Sequence, residues 1–312
     1  MGSDRRPLPR RPAAGRVEAI DPRTPALTVE TVRTIADLRA AILDRRVAGD
    51  SVGFIPTMGA LHDGQLSLVR RARAEDGCVV VSCFIKPGEF SALDEGGQAP
   101  RDERRDLTLL EHGEADIVFL PDRATLFPDA DATRVIVEGL TRQLEGASRP
   151  GHLDGLTTVL LKLLHLVGPA RLYLGQRHAQ QIVILRRMIK DLFMNIDLVV
   201  CPTVREADGL AVSSANAQLS IEERHAATCL HAAISAARDA YDAGERSAEV
   251  LRARMTDTIA AEPMARIDYV SLADAGTLAE LRRVTGPALA LVAVWVGHTR
   301  LTDNMPLAWD VA

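Results

Sequence analysis

The sequence predicts an α/β protein, a doubly wound parallel sheet followed by a smaller α+β region. Three observations carry that prediction. Short apolar runs at Val52–Ile55, Cys78–Ile85, Asp116–Leu120, Arg171–Leu174 and Ile196–Cys201 alternate with segments of helical periodicity. Such alternation is the pattern of an open parallel sheet covered on both faces by helices. A glycine-containing turn, Pro56–Gln65, joins the first of these runs to a helix. After Pro202 the composition shifts to long alanine-rich stretches.

Regular structure is expected to begin near Thr34, which with Asp37 forms a helix N-cap pattern ahead of Ile35, Leu38 and Ile42. Val52–Ile55 reads as a buried strand, 65–74 as a helix and Cys78–Ile85 as a second strand. Arg101–His112 is expected as a helix and Asp116–Leu120 as a third strand. The alternation continues with a helix over 155–167, a strand at Arg171–Leu174, a helix over 180–191 and a strand at Ile196–Cys201. Beyond residue 204, Ile221–Asp242 and Ala248–Ala261 read as helices, and Ile267–Leu272 and Ala288–Val296 as strands. The expected organisation is an extension over 1–31, a larger α/β domain over 32–203 and a small α+β domain over 204–312. The extension is rich in Arg, Pro and Ala and lacks the apolar core of a secretory signal. It reads as a disordered tail, with an organelle-targeting leader as the alternative.

Composition excludes several classes. The chain has 312 residues, 47% hydrophobic and 25% charged, with a net charge of −5. It lacks the basic excess of a nucleic-acid-binding protein, and no apolar run reaches the roughly 18 residues of a membrane span. The cysteines Cys78, Cys83, Cys201 and Cys229 form no CxxC pair and share no metal-ligand spacing with the eight histidines. They read as reduced thiols in a cytoplasmic protein, and no metal site is expected. Of the 37 basic residues only Lys86, Lys162 and Lys190 are lysines.

The turn Pro56-Thr57-Met58-Gly59-Ala60-Leu61-His62-Asp63-Gly64-Gln65 follows a strand and opens a helix. Backbone N–H groups at such a turn, with the helix N-terminus behind them, form a docking place for phosphate. Gly59 and Gly64 permit close backbone approach, and His62 offers a donor. The same residues also suit a satisfied surface histidine in a glycine-rich turn.

This turn resembles the PTMGALHxGH signature of the pantothenate synthetases, members of the nucleotidyltransferase superfamily with its HxGH motif. Val79-Val80-Val81-Ser82 with Phe84, Pro87 and Phe90 resembles the family's VVVSxFxNPxQF. Leu144-Glu145-Gly146, Arg149-Pro150-Gly151-His152 and Asp154-Gly155 resemble LEGxxRPGHFxG. Thr158-Val159, Lys162-Leu163 and the pair Gln180-Gln181 continue the order. Pro202–Glu206, Asp208–Ala211 and Ser213-Ser214 resemble PTVRExDGLAxSSRN, and Gly286–Leu289, Thr299–Leu301 and Asp303-Asn304 match the family's C-terminal strand and tail. The resemblance spans about residues 32 to 308.

It implies an ATP-dependent ligase. The pantoate carboxylate attacks the α-phosphate of Mg-ATP, and the β-alanine amine then displaces AMP from the acyl adenylate. Pantoate, β-alanine, ATP and Mg2+ are the implied substrates and cofactors, and a homodimer is the implied assembly. The implied catalytic set is Gln65, His62, Arg177, Ser213 and Ser214. ATP contacts are implied for Met58, Gly59, Ala60, Leu61, His62, Asp63, Gly64, Gln65, Gly175, Gln176, Arg177, His178, Val204, Val212, Ser213, Ser214 and Ala215. Substrate contacts are implied for Lys86, Glu89 and Gln181.

Several of these positions depart from the family pattern. Gln65 stands where the family has its proton-donor histidine. Lys86 and Glu89 replace the Asn and Gln of NPxQF. Gly175-Gln176-Arg177-His178 stands for GxKD, and Ala215 replaces the Arg of SSRN. Glutamine donates a hydrogen bond but carries neither a proton to transfer nor a charge. A carboxylate at Glu89 would repel a substrate carboxylate by roughly 4 kcal/mol at about 4 Å and an effective dielectric of about 20, unless Lys86 neutralises it. Two other readings therefore stand beside the ligase: a diverged paralogue, acting on another acid or amine or binding without catalysis, and a nucleotidyltransferase forming a dinucleotide.

Overall fold

Val52–Thr57 and Cys78–Cys83 are buried at nearly every position and pair in parallel from Val52↔Cys78 to Thr57↔Cys83. The computed structural model describes residues 29–84, 102–129 and 131–308. Among these, six parallel strands form one sheet: β1 (Glu30–Val32), β2 (Val52–Thr57), β3 (Cys78–Cys83), β4 (Ile117–Phe119), β5 (Ala170–Gly175) and β6 (Ile196–Cys201), in the order β1-β4-β3-β2-β5-β6. From β2 the chain runs outward through β3 and β4, then returns to place β5 on the other side of β2. The order reverses between β2 and β5, and in open α/β sheets a crevice opens there at the carboxyl ends of the strands.

Both faces are covered. Helices Ile35–Val47, His152–Val167 and Ala179–Asp191 supply Leu38, Ile42, Leu163, Leu164, Ile182 and Leu185 to one apolar core. Helices Asp63–Glu75 and Glu103–His112 supply Leu68, Val69 and Leu110 to the other. Thr34 is the N-cap of the first helix and accepts the Asp37 N–H, as its sequence predicts.

A second sheet is antiparallel: β7 (Ala265–Asp274), β8 (Ala288–Val296) and β9 (Thr299–Leu307). Its core is built with helices Cys229–Asp242 and Ala248–Ala260, whose alanines allow close packing on the strands. A smaller cluster joins helix Ala179–Asp191 to the second sheet, with Ala179 and Val183 against Ala273, Leu289 and Leu291.

The predicted fold class holds, with differences of detail. The helix expected over 221–242 is two helices, Ile221–Ala226 and Cys229–Asp242. β1 and β9 add strands that periodicity does not reveal. Lys86, Glu89, Pro87, Phe90 and nearly all of the extension over 1–31 lie outside the described residues. All four cysteines are free; Cys78, Cys201 and Cys229 are buried, and burial pushes the Cys78 thiol up to about 12. Among the described residues no helix is long and apolar enough to cross a membrane.

At the amino ends of the strands, Tyr173 is fully buried and its hydroxyl lies 2.6 Å from Asp76 Oδ2 and 2.8 Å from Glu75 Oε2. Arg171 reaches Asp76 Oδ1 at 2.6 Å. Tyr173→Phe deprives two carboxylates of a donor, one of them with no exposed side-chain surface. We expect a loss of about 1–3 kcal/mol in urea unfolding. A change within about 0.5 kcal/mol, the range of a neutral surface substitution, would show that Arg171 on Asp76 and Arg71 on Glu75 satisfy the two carboxylates without the hydroxyl.

Candidate active site

The crevice between β2 and β5 holds a cavity of about 180 Å³. The turn after β2 forms one wall. His62 is the N-cap of helix 63–75: its Nδ1 accepts the Gly64 N–H at 3.1 Å, and Gln65 Oε1 accepts the His62 N–H at 2.9 Å. This capping box fixes two orientations. With Nδ1 accepting, a neutral His62 ring carries its proton on Nε2, and with Oε1 accepting, Gln65 keeps its amide N–H groups as donors.

The segment after β5 forms the facing wall. Gly175, Arg177 and His178 line the cavity, and Gln181 follows on the helix. Gln176 turns away: its Nε2 donates to Asn304 Oδ1 at 2.9 Å, and Asn304 Nδ2 donates to the carbonyls of Gln176 and Arg177 at 3.0 and 2.9 Å. Beside it, Asp303 pairs with Arg205 at 2.6 and 3.0 Å. β9 thus braces the backbone that carries Arg177.

Of the positions expected to touch nucleotide or substrate, Met58, Gln65, Gly175, Arg177, His178 and Gln181 line one cavity. Gly59, Ala60 and Leu61 lie behind this wall, where the N–H groups of Ala60 and Leu61 bond to Asp106 at 2.7 and 2.8 Å. Asp63 is exposed on the first turn of its helix. Val204 and Val212 are joined by a backbone hydrogen bond of 2.9 Å, and Arg177 Nη1 donates to the Val212 carbonyl at 3.2 Å. A methyl group on Gly64 would stand 4.0 Å from that same carbonyl, so the segment 204–212 borders both walls. Ser213 is buried and accepts the Ala215 N–H at 3.1 Å, with Ser214 beginning the short 3-10 helix that follows. Ala215 is 4% exposed and packs into the core of the second sheet.

A polar network closes the far side. Arg300 directs both Nη atoms at Glu145, each at 2.8 Å, and also reaches Asp268 at 2.7 Å. Arg149 donates to Glu145 Oε2 at 2.6 Å, and the Tyr269 hydroxyl to Oε1 at 2.8 Å. Burial pushes the Glu145 carboxyl up, but the Arg300 hydrogen bonds and charge, the Arg149 charge and the Tyr269 hydroxyl outweigh it and bring the group down to about 2. Burial, then the Glu145 charge and hydrogen bond, hold Tyr269 well above the ordinary tyrosine range. Gln180 fixes this corner: its Oε1 accepts the Glu145 N–H at 3.0 Å, and its Nε2 donates to the carbonyls of Leu140 and Gln143 at 2.9 and 2.8 Å. Glu145, Arg149, Arg300, Asn304 and Asp106 are not among the site residues expected from the sequence. The first four sit within matched motifs, which was the available signal; Asp106 had none beyond its helical surroundings.

An open parallel sheet with donors from two strand-to-helix turns converging on its switch point defines an α/β ligand-binding enzyme of the doubly wound class. Comparison with known proteins narrows this. A profile of the pantoate-beta-alanine ligase family matches residues 30–306. A pantothenate synthetase from Roseiflexus sp. (strain RS-1) is 48% identical over 279 residues, covering 89% of this chain and 99% of that protein. The crystal structure of pantothenate synthetase from Thermus thermophilus superposes with a TM-score of 0.83 at 41% identity, over 89% of this chain and 99% of that one. A pantoate-beta-alanine ligase from Francisella tularensis, solved with beta-gamma ATP and beta-alanine, superposes with a TM-score of 0.73 at 28% identity, over 91% of this chain and all of that one. The chain belongs to the pantoate-beta-alanine ligase family.

Proposed function

We propose that this protein is an ATP-dependent ligase that condenses pantoate with β-alanine to pantothenate, releasing AMP and pyrophosphate. The observation that carries the reading is the match of family positions to one crevice: Met58, Gln65, Gly175, Arg177, His178 and Gln181 line a single cavity at the switch point of a chain matched by the family profile over residues 30–306.

In this reading ATP lies along the two turns, with its phosphates toward the N-terminus of helix 63–75, Gln65 and Arg177. Such fixed donors and charge stabilise the negative charge that shifts as the α-phosphate is attacked. His62 serves through its Nε2–H, and Ser213 and Ser214 line the nucleotide's approach along 204–215. Gln181 orients pantoate from the helix facing Met58, and the roles of Lys86 and Glu89 toward the acid carry over from the family resemblance alone. The acyl adenylate forms first, and the amine of β-alanine then displaces AMP. Mg2+ enters as part of the nucleotide substrate, carried by phosphates and water in the way typical of this ion. Among the described residues no group of three His, Cys, Asp or Glu side chains could hold a metal. The reading divides the chain into a nucleotide- and acid-binding unit over 32–203 and a smaller unit over 204–312, in keeping with their separate apolar cores. It extends, on family membership, to a cytoplasmic homodimer.

The test is pantoate-dependent exchange of pyrophosphate into ATP. Exchange is expected with pantoate. Arg177→Ala should reduce kcat/KM for ATP by about 10²–10³, the typical effect of losing one charge-stabilising group. Exchange with another small acid but not with pantoate would favour a ligase of altered substrate, a reading motivated by Gln65, Glu89, His178 and Ala215. No exchange with any acid would leave a nucleotide-binding paralogue.

A further inference from the structure

Helix 103–112 contributes nothing to the lining of the main cavity, yet one of its side chains shapes the wall. Asp106 is 5% exposed. Its Oδ2 accepts the Ala60 N–H at 2.7 Å and its Oδ1 the Leu61 N–H at 2.8 Å. Gly59 and Ala60 stand at φ of 79° and 51°. Left-handed residues in a turn direct successive N–H groups to one side and create a nest, a concavity that binds anions. Here the chain's own carboxylate fills it. From the same helix Arg105 Nη1 donates to the Leu61 carbonyl at 3.0 Å, so donors and acceptor of the turn are both clamped. The packing is tight, since a methyl group on Gly59 would stand 3.2 Å from Asp106 Oδ2.

The clamped turn lies between Met58, on the cavity wall, and His62, which caps helix 63–75 and orients Gln65. A left-handed conformation is unfavourable for alanine. The carboxylate's two charge-assisted hydrogen bonds hold Ala60 there. They also withhold the two N–H groups from any other anion.

We propose that Asp106 is a positioning residue for the nucleotide: by occupying the nest of the Gly59–Leu61 turn, it leaves the N-terminus of helix 63–75 beside Gln65 as the phosphate site. The proposal rests on the nucleotide reading given above. Asp106 touches no substrate in this arrangement and acts through the backbone of the turn.

Asp106→Asn is the discriminating variant. It keeps shape and volume but supplies one oxygen for two N–H groups, and its NH2 must face a donor. The expected result is a rise of about tenfold or more in KM for ATP, with KM for pantoate within about twofold and a melting temperature close to wild type. In Asp106→Ala the nest is open, so added formate should refill it and recover ATP affinity, while inorganic phosphate should compete with ATP more strongly than in the wild type. Arg177→Ala serves as the control. If it weakens ATP binding and Asp106→Asn does not, the proposal fails and the nucleotide reading stands. If neither variant changes ATP affinity, the nucleotide reading itself fails. If Asp106→Asn weakens ATP, pantoate and thermal stability together, the carboxylate is a structural clamp only and the proposal is overturned; loss of the formate response in a folded Asp106→Ala overturns it equally.

Discussion

Replacing Arg300 by methionine is expected to destabilise the protein by about 3–5 kcal/mol, the range for removing one partner of a buried ion pair. The Arg300 side chain is 4% exposed and that of Glu145 is 13% exposed. Removing the guanidinium leaves Glu145 buried with Arg149 and Tyr269, and Asp268 without Arg300. Urea unfolding at neutral pH measures the loss, and a change below about 1 kcal/mol, the size expected of an exposed pair, would mean that Arg149 and Tyr269 suffice. The same network sets an acid limb. Glu145 is held at about 2 against an ordinary 4.5, so in this interval the unfolded chain binds a proton that the folded protein does not. Stability from this group is fully present above about pH 4.5 and declines as pH falls toward about 2, a difference worth about 3 kcal/mol. In Arg300→Met the folded-state value rises toward the ordinary one and that portion of the acid sensitivity shrinks.

Gln65→Ala is expected to lower pantoate-dependent adenylation by about 10²–10³, because it removes a donor that the capping box aims away from the backbone. Gln65→His should act in the opposite direction and raise the rate. It should also change the shape of the pH profile. A histidine there is the better donor when protonated, so the gain is largest at low pH and fades as pH rises through the imidazole range near about 6.5; the wild type has no such limb from this residue. Single-turnover adenylate formation across pH measures both effects. Equal rates for wild type and Gln65→Ala would remove Gln65 from the chemistry. Restoring the family's arginine by Ala215→Arg is a poorer test, because Ala215 lies in the core of the second sheet and a larger side chain there costs roughly 1–3 kcal/mol by overpacking.

The central strands and the helices between them were legible because burial on both faces leaves unbroken apolar runs, as at Val79–Val81 and Leu172–Leu174. β9 was not legible. It carries Arg300, Asp303 and Asn304 on buried positions and Pro306 near its end, so neither period 2 nor an apolar run marks it. β1 has three residues, too few for any pattern. In the site, Met58, Gln65, Gly175, Arg177, His178 and Gln181 could be read because they lie in compact motifs. Asp106 could not, since its meaning is a pair of hydrogen bonds to residues 46 and 45 positions away. The Glu145–Arg300 pair spans 155 positions and becomes visible only when the second sheet is docked beside the first. Ala215, which the motif assigns to the nucleotide, packs its side chain among apolar neighbours, an environment the motif does not reveal.

The brace from Asn304 to Gln176 and Arg177 spans 128 and 127 positions. A ribosome adding about 5–20 residues per second needs roughly 6 to 25 seconds to reach Asn304 after making the turn that it steadies. Through that interval the nascent parallel sheet holds one of its cavity-lining turns without the side chain that bonds its carbonyls. The carbonyls of Gln176 and Arg177 must meanwhile be hydrated or borrowed by other partners. The turn that carries Arg177 therefore reaches its braced form only once β9 is in place, rather than when the parallel sheet first forms.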